Sequence, residues 1–585
     1  MRMLKKTLTA ICLILLVSGC APRREPAEPA ATAPAFVTLS IVATNDLHGG
    51  VLPRDGRGGL ALLGGYLKNL RAARARDGGG VLLLDAGDMF QGTLESNLTE
   101  GASVIAAYNA LGYAAAAVGN HEFDFGPIGP SATPRSSADD PRGALKARAA
   151  EAKFPFLAAN LVDATGRMPG WTNVHPTAVV QAAGVKVGII GLMTSSALTA
   201  TISSNVGGLS VAPLAETIRA HATALRGQGA AVVIVTAHAG GRCSSVDRAE
   251  DLSSCEPSGE IFTLARALPR GLVDVIAAGH THATIAHQVE GIAITEAFSG
   301  GRAFSRVDLS IDRRTNTVTG KRSFPPRDLC AREDPNTRTC DPAADAGALV
   351  QAEYENAPVI PDAAIDRVLA PALEQVRLLK ARSIGIGLDT PIRRLAPISP
   401  LGQLFTDALL AAVPGADVAL NNSSGGLRAD LPQGPLTYGS VYEVMPFDNL
   451  VVQIRLTGQE LRQVFATHLE KSRRIIGFSG VRVRAECSGG LLDLVLVRPS
   501  GALIKDGDTL LVVVSDFLAT GGDGILAPVM PPGGFPVDHA APLMRDVFVE
   551  YLKNLKGPLR EEQLLDTSNP HLSVSGVLPI RCSGV

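Results

Sequence analysis

The chain has 585 residues, with 46% hydrophobic and 19% charged side chains and a formal net charge of −2. That length exceeds what one ordinary core organises, so two large domains in a folded, globular chain are expected. The charge balance offers no electrostatic grip on nucleic acid, and no repeat of fixed period marks a solenoid.

The chain begins with a basic start (Arg2, Lys5, Lys6) and a short apolar run, Leu8–Val17, too short to span a bilayer as a stable anchor. The run closes on Val17-Ser18-Gly19-Cys20, which resembles the lipobox of bacterial lipoproteins. On that reading residues 1–20 are a signal peptide and Cys20 becomes the lipidated first residue. The protein would then be exported and lipid-anchored in the bacterial envelope, at the periplasm or outer membrane. An ordinary signal peptide with a chance cysteine is the alternative. Residues 21–35, "APRREPAEPAATAPA", are rich in Pro and Ala and read as a disordered tether.

From Phe36 to about Ser310, apolar β-branched runs alternate with Ala/Leu-rich helical stretches. "FVTLSIVAT", "GVLLLDA", "VGIIGL", "AAVVIVTA" and "VDVIAAG" read as buried strands of an α/β domain. Pro127–Arg142 is a polar insert and reads as a surface loop, and Thr315–Gly347 is loop-like. Ala363–Lys380 has helical periodicity interrupted by Pro371 and is expected to join the domains. A second α/β region follows, with apolar runs "ADVAL", "LVVQIRL" and "TLLVVVSDF". The expected division is 36–345 for the first domain, 346–382 for a linker with a helix, and 383–585 for the second domain.

Six cysteines remain after Cys12 and Cys20 are set aside. An even count in an exported chain suggests disulfides. Close spacing pairs Cys243 with Cys255 and Cys330 with Cys340, and elimination pairs Cys487 with Cys582. None has the CxxC spacing of a thiolate metal site.

The informative feature of the first domain is where its ionisable residues fall. Five buried-looking runs end in "ATNDLHG" (Asp46, His48), "LLDAGDMFQG" (Asp85, Asp88), "VGNHEFD" (Asn120, His121, Asp124), "VTAHAGG" (His238) and "AAGHTH" (His280, His282). Ligands in open α/β folds gather beyond the carboxyl ends of strands. Asp, His and Asn without Cys suit catalytic Zn, Mn, Fe or Co, not a closed structural zinc centre. So many candidate ligands exceed one tetrahedral ion and fit a pair sharing a carboxylate. Two such ions, about 3.5–4 Å apart, acidify water and hold both oxygens of a phosphoryl displacement. An extended backbone would put Asp46 and His48 on one side, and His280 and His282 likewise.

In order, "TNDLHG", "DAGDMFQGT", "GNHEFD", "TAHAGG" and "GHTH" resemble the metallophosphoesterase domain of the 5'-nucleotidase family, which includes UDP-sugar hydrolases and 2',3'-cyclic nucleotide phosphodiesterases. The resemblance implies a four-layer α/β/β/α first domain, a linker helix and a C-terminal α/β nucleotide-binding domain. It implies two divalent metal ions (Zn, Mn or Co). Asp46, His48, Asp88 and His282 would hold one; Asp88, Asn120, His238 and His280 would hold the other. His121 and Asp124 would be the catalytic dyad, and Asp85 lies outside the family's ligand pattern. Glu122 receives no role beyond a loop or supporting partner.

In the second region, "NNSSGGLR", "MPFDN" and "DFLATGGDG" resemble the family's nucleotide-binding motifs. By that resemblance Arg428 would pair with phosphate, Phe447 and Phe517 would clamp the base, Asn449 would contact base or sugar, and Asp523 would accept from ribose hydroxyls. One departure is clear: the family has an asparagine five residues before the arginine, where this chain has Ser423, with Asn422 six away. The resemblance implies release of phosphate from 5'-nucleotides, with UDP-sugars and 2',3'-cyclic nucleotides as related substrates. A site between domains would need a hinge near Ala363–Lys380. Two other readings stand beside it: a non-catalytic nucleotide-binding lipoprotein, and the same fold acting on a thiosulfonate ester.

Overall fold

The computed structural model describes residues 35–340, 348–394, 399–472, 476–555, 559–565, 568–574 and 577–582. The signal segment and all but the last residue of the tether lie outside the described residues.

Two sheets form the centre of the first domain. The strands that carry the motifs are β1 (Phe36–Thr44), β2 (Gly80–Asp85), β3 (Ala115–Ala117), β4 (Val232–His238) and β5 (Val275–Ala278). A seven-stranded sheet places β1, β2 and β3 side by side and parallel. A six-stranded sheet pairs β4 with β5, also parallel. Side-chain alternation explains why the sheets stack. Leu39, Ile41 and Ala43 of β1 meet Val232 and Ile234 of β4 in one core between the sheets. Val42 of β1 faces outward into a second core under helices, and Val233 and Val235 of β4 face outward into a third. The result is the four-layer α/β/β/α stack.

Two local expectations are corrected. Thr317–Asp328, within the stretch expected to be loop, is a strand paired antiparallel with Ala303–Asp312 at the sheet edge. It reads as polar because an edge strand is half-solvated, and its Pro325 and Pro326 need no ladder partner there. Pro371 does not break the helix Ala363–Lys380. The helix is capped by Asp362, whose side chain accepts from Ala364 N, and is held by its buried face. Ile365 and Leu369 pack into a core of the first domain, and Val376 into a core of the second.

The second domain is built on a four-stranded sheet. Its two functional strands are β6 (Val451–Thr457) and β7 (Thr509–Ser515), paired antiparallel with Val451 opposite Ser515. That pairing sets the end of "MPFDN" beside the start of "DFLATGGDG". The sulfurs of Cys243–Cys255, Cys330–Cys340 and Cys487–Cys582 lie at bonding distance. The insert 127–142 has no helix or strand.

Candidate metal centre and nucleotide pocket

The carboxyl ends of β1, β2 and β3 meet those of β4 and β5 across the sheet stack, and each polar motif starts where its strand stops. The residues at these ends do not lie on extended backbone. Asp46, His48, Asp88, His280 and His282 all adopt left-handed φ, between 47° and 76°. A side chain held there is strained, and the strain is maintained by the surrounding loops. Asp46 N donates to Gly87 O and His48 N to Asp88 O, each at 2.9 Å, so the β1 and β2 loops are stitched together. Asp46 with His48, and His280 with His282, therefore converge by left-handed turns, not by the side-sharing of an extended strand.

The donor atoms form two adjoining clusters, Asp46–His48–His282 and Asp88–His238–His280. His48 Nε2 lies 3.0 Å from His282 Nε2, and His238 Nε2 lies 3.1 Å from His280 Nδ1. Asp88 Oδ2 is 3.1 Å from His238 Nε2 and 4.0 Å from His48 Nε2, so it faces both clusters. The rings are oriented from behind. His48 Nδ1 is 2.9 Å from Gln91 O and His238 Nδ1 is 2.9 Å from Ala86 O. Each carbonyl takes an N–H from Nδ1 and leaves Nε2 facing the cluster. Asn120 Nδ2 donates to Ala200 O, which leaves Oδ1 3.0 Å from His238 Nε2. Converging N and O donor atoms of this kind are what a divalent cation requires.

The electrostatics agree with a cation site. Burial works against charge on Asp46, but the neighbouring His282 brings its carboxyl down to about 2. Burial likewise disfavours the His238 cation, yet the Asp88 carboxylate outweighs it and lifts the imidazole to about 10. Asp85 stands apart: Thr44, Tyr108 and Gly87 N donate to it, and burial raises it to about 7. It braces the β1 and β2 loops and does not face the clusters.

His121 Nδ1 lies 2.5 Å from Asp124 Oδ2, and Thr201 Oγ1 donates to the other Asp124 oxygen. Arg428 reaches across from the second domain and donates from Nη2 to His121 Nε2 at 3.1 Å. His121 and Arg428 share a cavity of about 220 Å³ lined also by Asp88, Asn120, His280, His282, Phe447, Asn449, Phe517 and Asp523. Asp46, His48 and His238 sit behind this surface. Two residues to which sequence reasoning assigned no role line it as well. Asn422, not Ser423, faces the cavity and donates to Asp523 Oδ2. Gln91 closes the first-domain side and donates to Pro446 O. Glu122 is buried behind the site: Asp88 N, Met89 N and Gly119 N all donate to its carboxylate, which ties the loop of Asp88 to that of Asn120. The quoted motifs contained all three residues, but only the fold shows what they touch.

Two protein families match this chain: calcineurin-like phosphoesterase over residues 39–284 and the 5'-nucleotidase C-terminal domain over 389–530. The chain is a member of the 5'-nucleotidase family. A 5'-nucleotidase from Vibrio cholerae is 26% identical over 89% of this chain and 91% of its own length. The endonuclease YhcR of Bacillus subtilis is also 26% identical over 89% of this chain, which spans only 40% of that longer protein. A 5'-nucleotidase precursor from Thermus thermophilus superposes with a TM-score of 0.68 at 25% identity, covering 92% of this chain and 99% of its own. As a family member the chain is a metal-dependent phosphoric ester hydrolase, and its phosphoesterase domain implies divalent metal ions.

Proposed function

We propose that this 5'-nucleotidase-family chain releases phosphate from 5'-nucleotides outside the cytoplasm, with UDP-sugars and 2',3'-cyclic nucleotides as further substrates. One observation carries the reading: strand-end ligands of the first domain and the arginine and phenylalanines of the second line a single cavity. Domains 36–345 and 383–585 would thus each supply one wall.

Asp46, His48, Asp88 and His282 would hold one divalent ion, and Asp88, Asn120, His238 and His280 a second, of Zn, Mn or Co. The ions supply an acidified water and charge stabilisation of phosphoryl oxygens. Arg428 binds the phosphate with its planar fork and holds it against His121. His121 stabilises negative charge on the transferring group and protonates the departing alkoxide, while Asp124 fixes its tautomer and orientation. Phe447 and Phe517 stack on the base, Asn449 contacts the base or sugar, and Asp523, oriented by Asn422, accepts from ribose hydroxyls. Two aromatic walls favour a nucleotide over a small thiosulfonate ester, and an aligned His–Asp dyad favours turnover over mere binding. The paired cysteines and the N-terminal segment support export with disulfides, and the Cys20 lipobox supports a lipid anchor.

The test is phosphate release from AMP, other 5'-mononucleotides, UDP-glucose and 2',3'-cyclic AMP. It is run after chelation and again with Zn, Mn or Co restored. Release from AMP, abolished by chelator and restored by metal, is expected. Absence of release from every nucleotide with every metal overturns the reading.

A further inference from the structure

Asp516 is a buried carboxylate to which the chemistry above gives no task. It follows β7 directly and precedes Phe517, one face of the clamp. It is 4% exposed and does not line the cavity. A single oxygen, Oδ1, accepts three hydrogen bonds: from Asn449 Nδ2 at 2.9 Å, Leu450 N at 3.1 Å and Phe517 N at 2.8 Å. Asp516 N in turn donates to Leu450 O at 3.1 Å. The first arm of the clamp, Phe447 to Asn449, runs into β6, and the second, Phe517, runs out of β7. Asp516 is therefore the tie between the two arms at the point where they leave the sheet.

The tie also sets chemistry. An ionised carboxylate only accepts, so the Asn449 amide must turn its NH₂ toward Asp516. The Asn449 carbonyl oxygen is then turned away from Asp516, and Asn449 lines the cavity, where that oxygen offers an acceptor to a nucleobase N–H. Asp516 Oδ2 is buried with no donor among the described residues. A buried oxygen without a partner is costly, so the three bonds to Oδ1 are what hold the carboxylate here. Burial raises the Asp516 carboxyl to about 6, so it remains an acceptor at neutral pH.

We infer that Asp516 is a positioning residue for base recognition, locking Asn449 as an acceptor and holding Phe517 against Phe447's arm. This rests on the nucleotide reading above. The assay compares kcat/KM for AMP with kcat/KM for ribose 5-phosphate, which carries the phosphate and sugar without the base. Asp516→Ala is expected to lower the AMP-to-ribose-5-phosphate ratio tenfold or more, through KM for AMP and not through kcat. Asp516→Asn, which restores an oxygen at the same place, is expected to hold the ratio within threefold of the unaltered protein. Should Asp516→Ala not fold, Asp516→Ser carries the same expectation, because its hydroxyl is too short to reach both arms. A ratio unchanged within threefold in Asp516→Ala or Asp516→Ser overturns the inference, as does a loss in Asp516→Asn equal to that in Asp516→Ala. An unaltered protein with no preference for AMP over ribose 5-phosphate overturns the nucleotide reading itself, a result distinct from either.

Discussion

Gly119 gives the sharpest quantitative test of the metal centre. It precedes Asn120, and a Cβ built on it would lie 2.2 Å from Asp88 Oδ1 and 2.7 Å from Asp88 N. Real Cβ atoms do not approach within 3.0 Å, so Gly119→Ala must displace the Asp88 carboxylate by at least about 0.8 Å. Rotating the side chain does not suffice, because the Asp88 backbone nitrogen is also too close. Nor does the loop have slack: Glu122 Oε2 accepts from both Asp88 N and Gly119 N, which couples the two segments that must separate. Overpacking of this kind costs about 1–3 kcal/mol of stability. A misplacement near 1 Å costs on the order of 100-fold in rate. We expect Gly119→Ala to lose about 100-fold in kcat for phosphate release from AMP and to bind fewer metal ions by elemental analysis. Gly227→Ala, at the end of a helix with nothing within 4 Å of its Cβ, is the matched control. Gly119→Ala with kcat within threefold of the control would show that Asp88 is not held where the chemistry needs it.

His121→Ala is expected to lower kcat by about 10²–10⁴-fold while metal content stays level; equal turnover removes His121 from the reaction. Arg428→Lys keeps the charge but loses the planar fork, so KM for AMP should rise about 10–100-fold, checked by initial rates. The Asp516 carboxyl, raised by burial to about 6, takes up protons more readily folded than unfolded. Its ionisation therefore lowers stability as pH rises from about 4 to about 6, by about 3 kcal/mol in all, and the cost persists above that window. Thermal melts of Asp516→Asn and the unaltered protein should diverge in favour of the variant between pH 4 and pH 7; parallel curves refute this.

Much of the candidate site is legible in the chain because strand-end polar residues leave a local signature. An apolar run that stops at Asp, His or Asn is visible at Thr44, Asp85, Ala117, His238 and Ala278 without any knowledge of which strands neighbour one another. The geometry of Asp46, His48, His280 and His282 was not legible. Left-handed φ at a non-glycine residue is imposed by the contacts of distant loops, and alternation rules assume regular backbone. Thr317–Asp328 shows the same limit from another side: an edge strand facing water has the composition of a loop. Asn422 was out of register with its family position, and only the short helix Ser423–Gly426 shows which of the two residues turns to the cavity. Asp516 could not be found because two of its three donors, Asn449 and Leu450, lie 67 and 66 residues away along the chain.

On the proposed function, the wall of the cavity that would handle phosphorus and the wall that would handle the rest of the molecule belong to different stretches of chain. Their variation is therefore separable. On the proposed function, substitutions at Asn449 and Phe517 would change which compounds are accepted while leaving the candidate metal ligands in place, whereas Phe447 is less separable because Gln91, whose carbonyl orients His48, bonds the neighbouring Pro446. Arg428 crosses the same divide: it belongs to the second domain but places its guanidinium beside His121, so on the proposed function a shift of the second domain that moves it would be felt as lost chemistry.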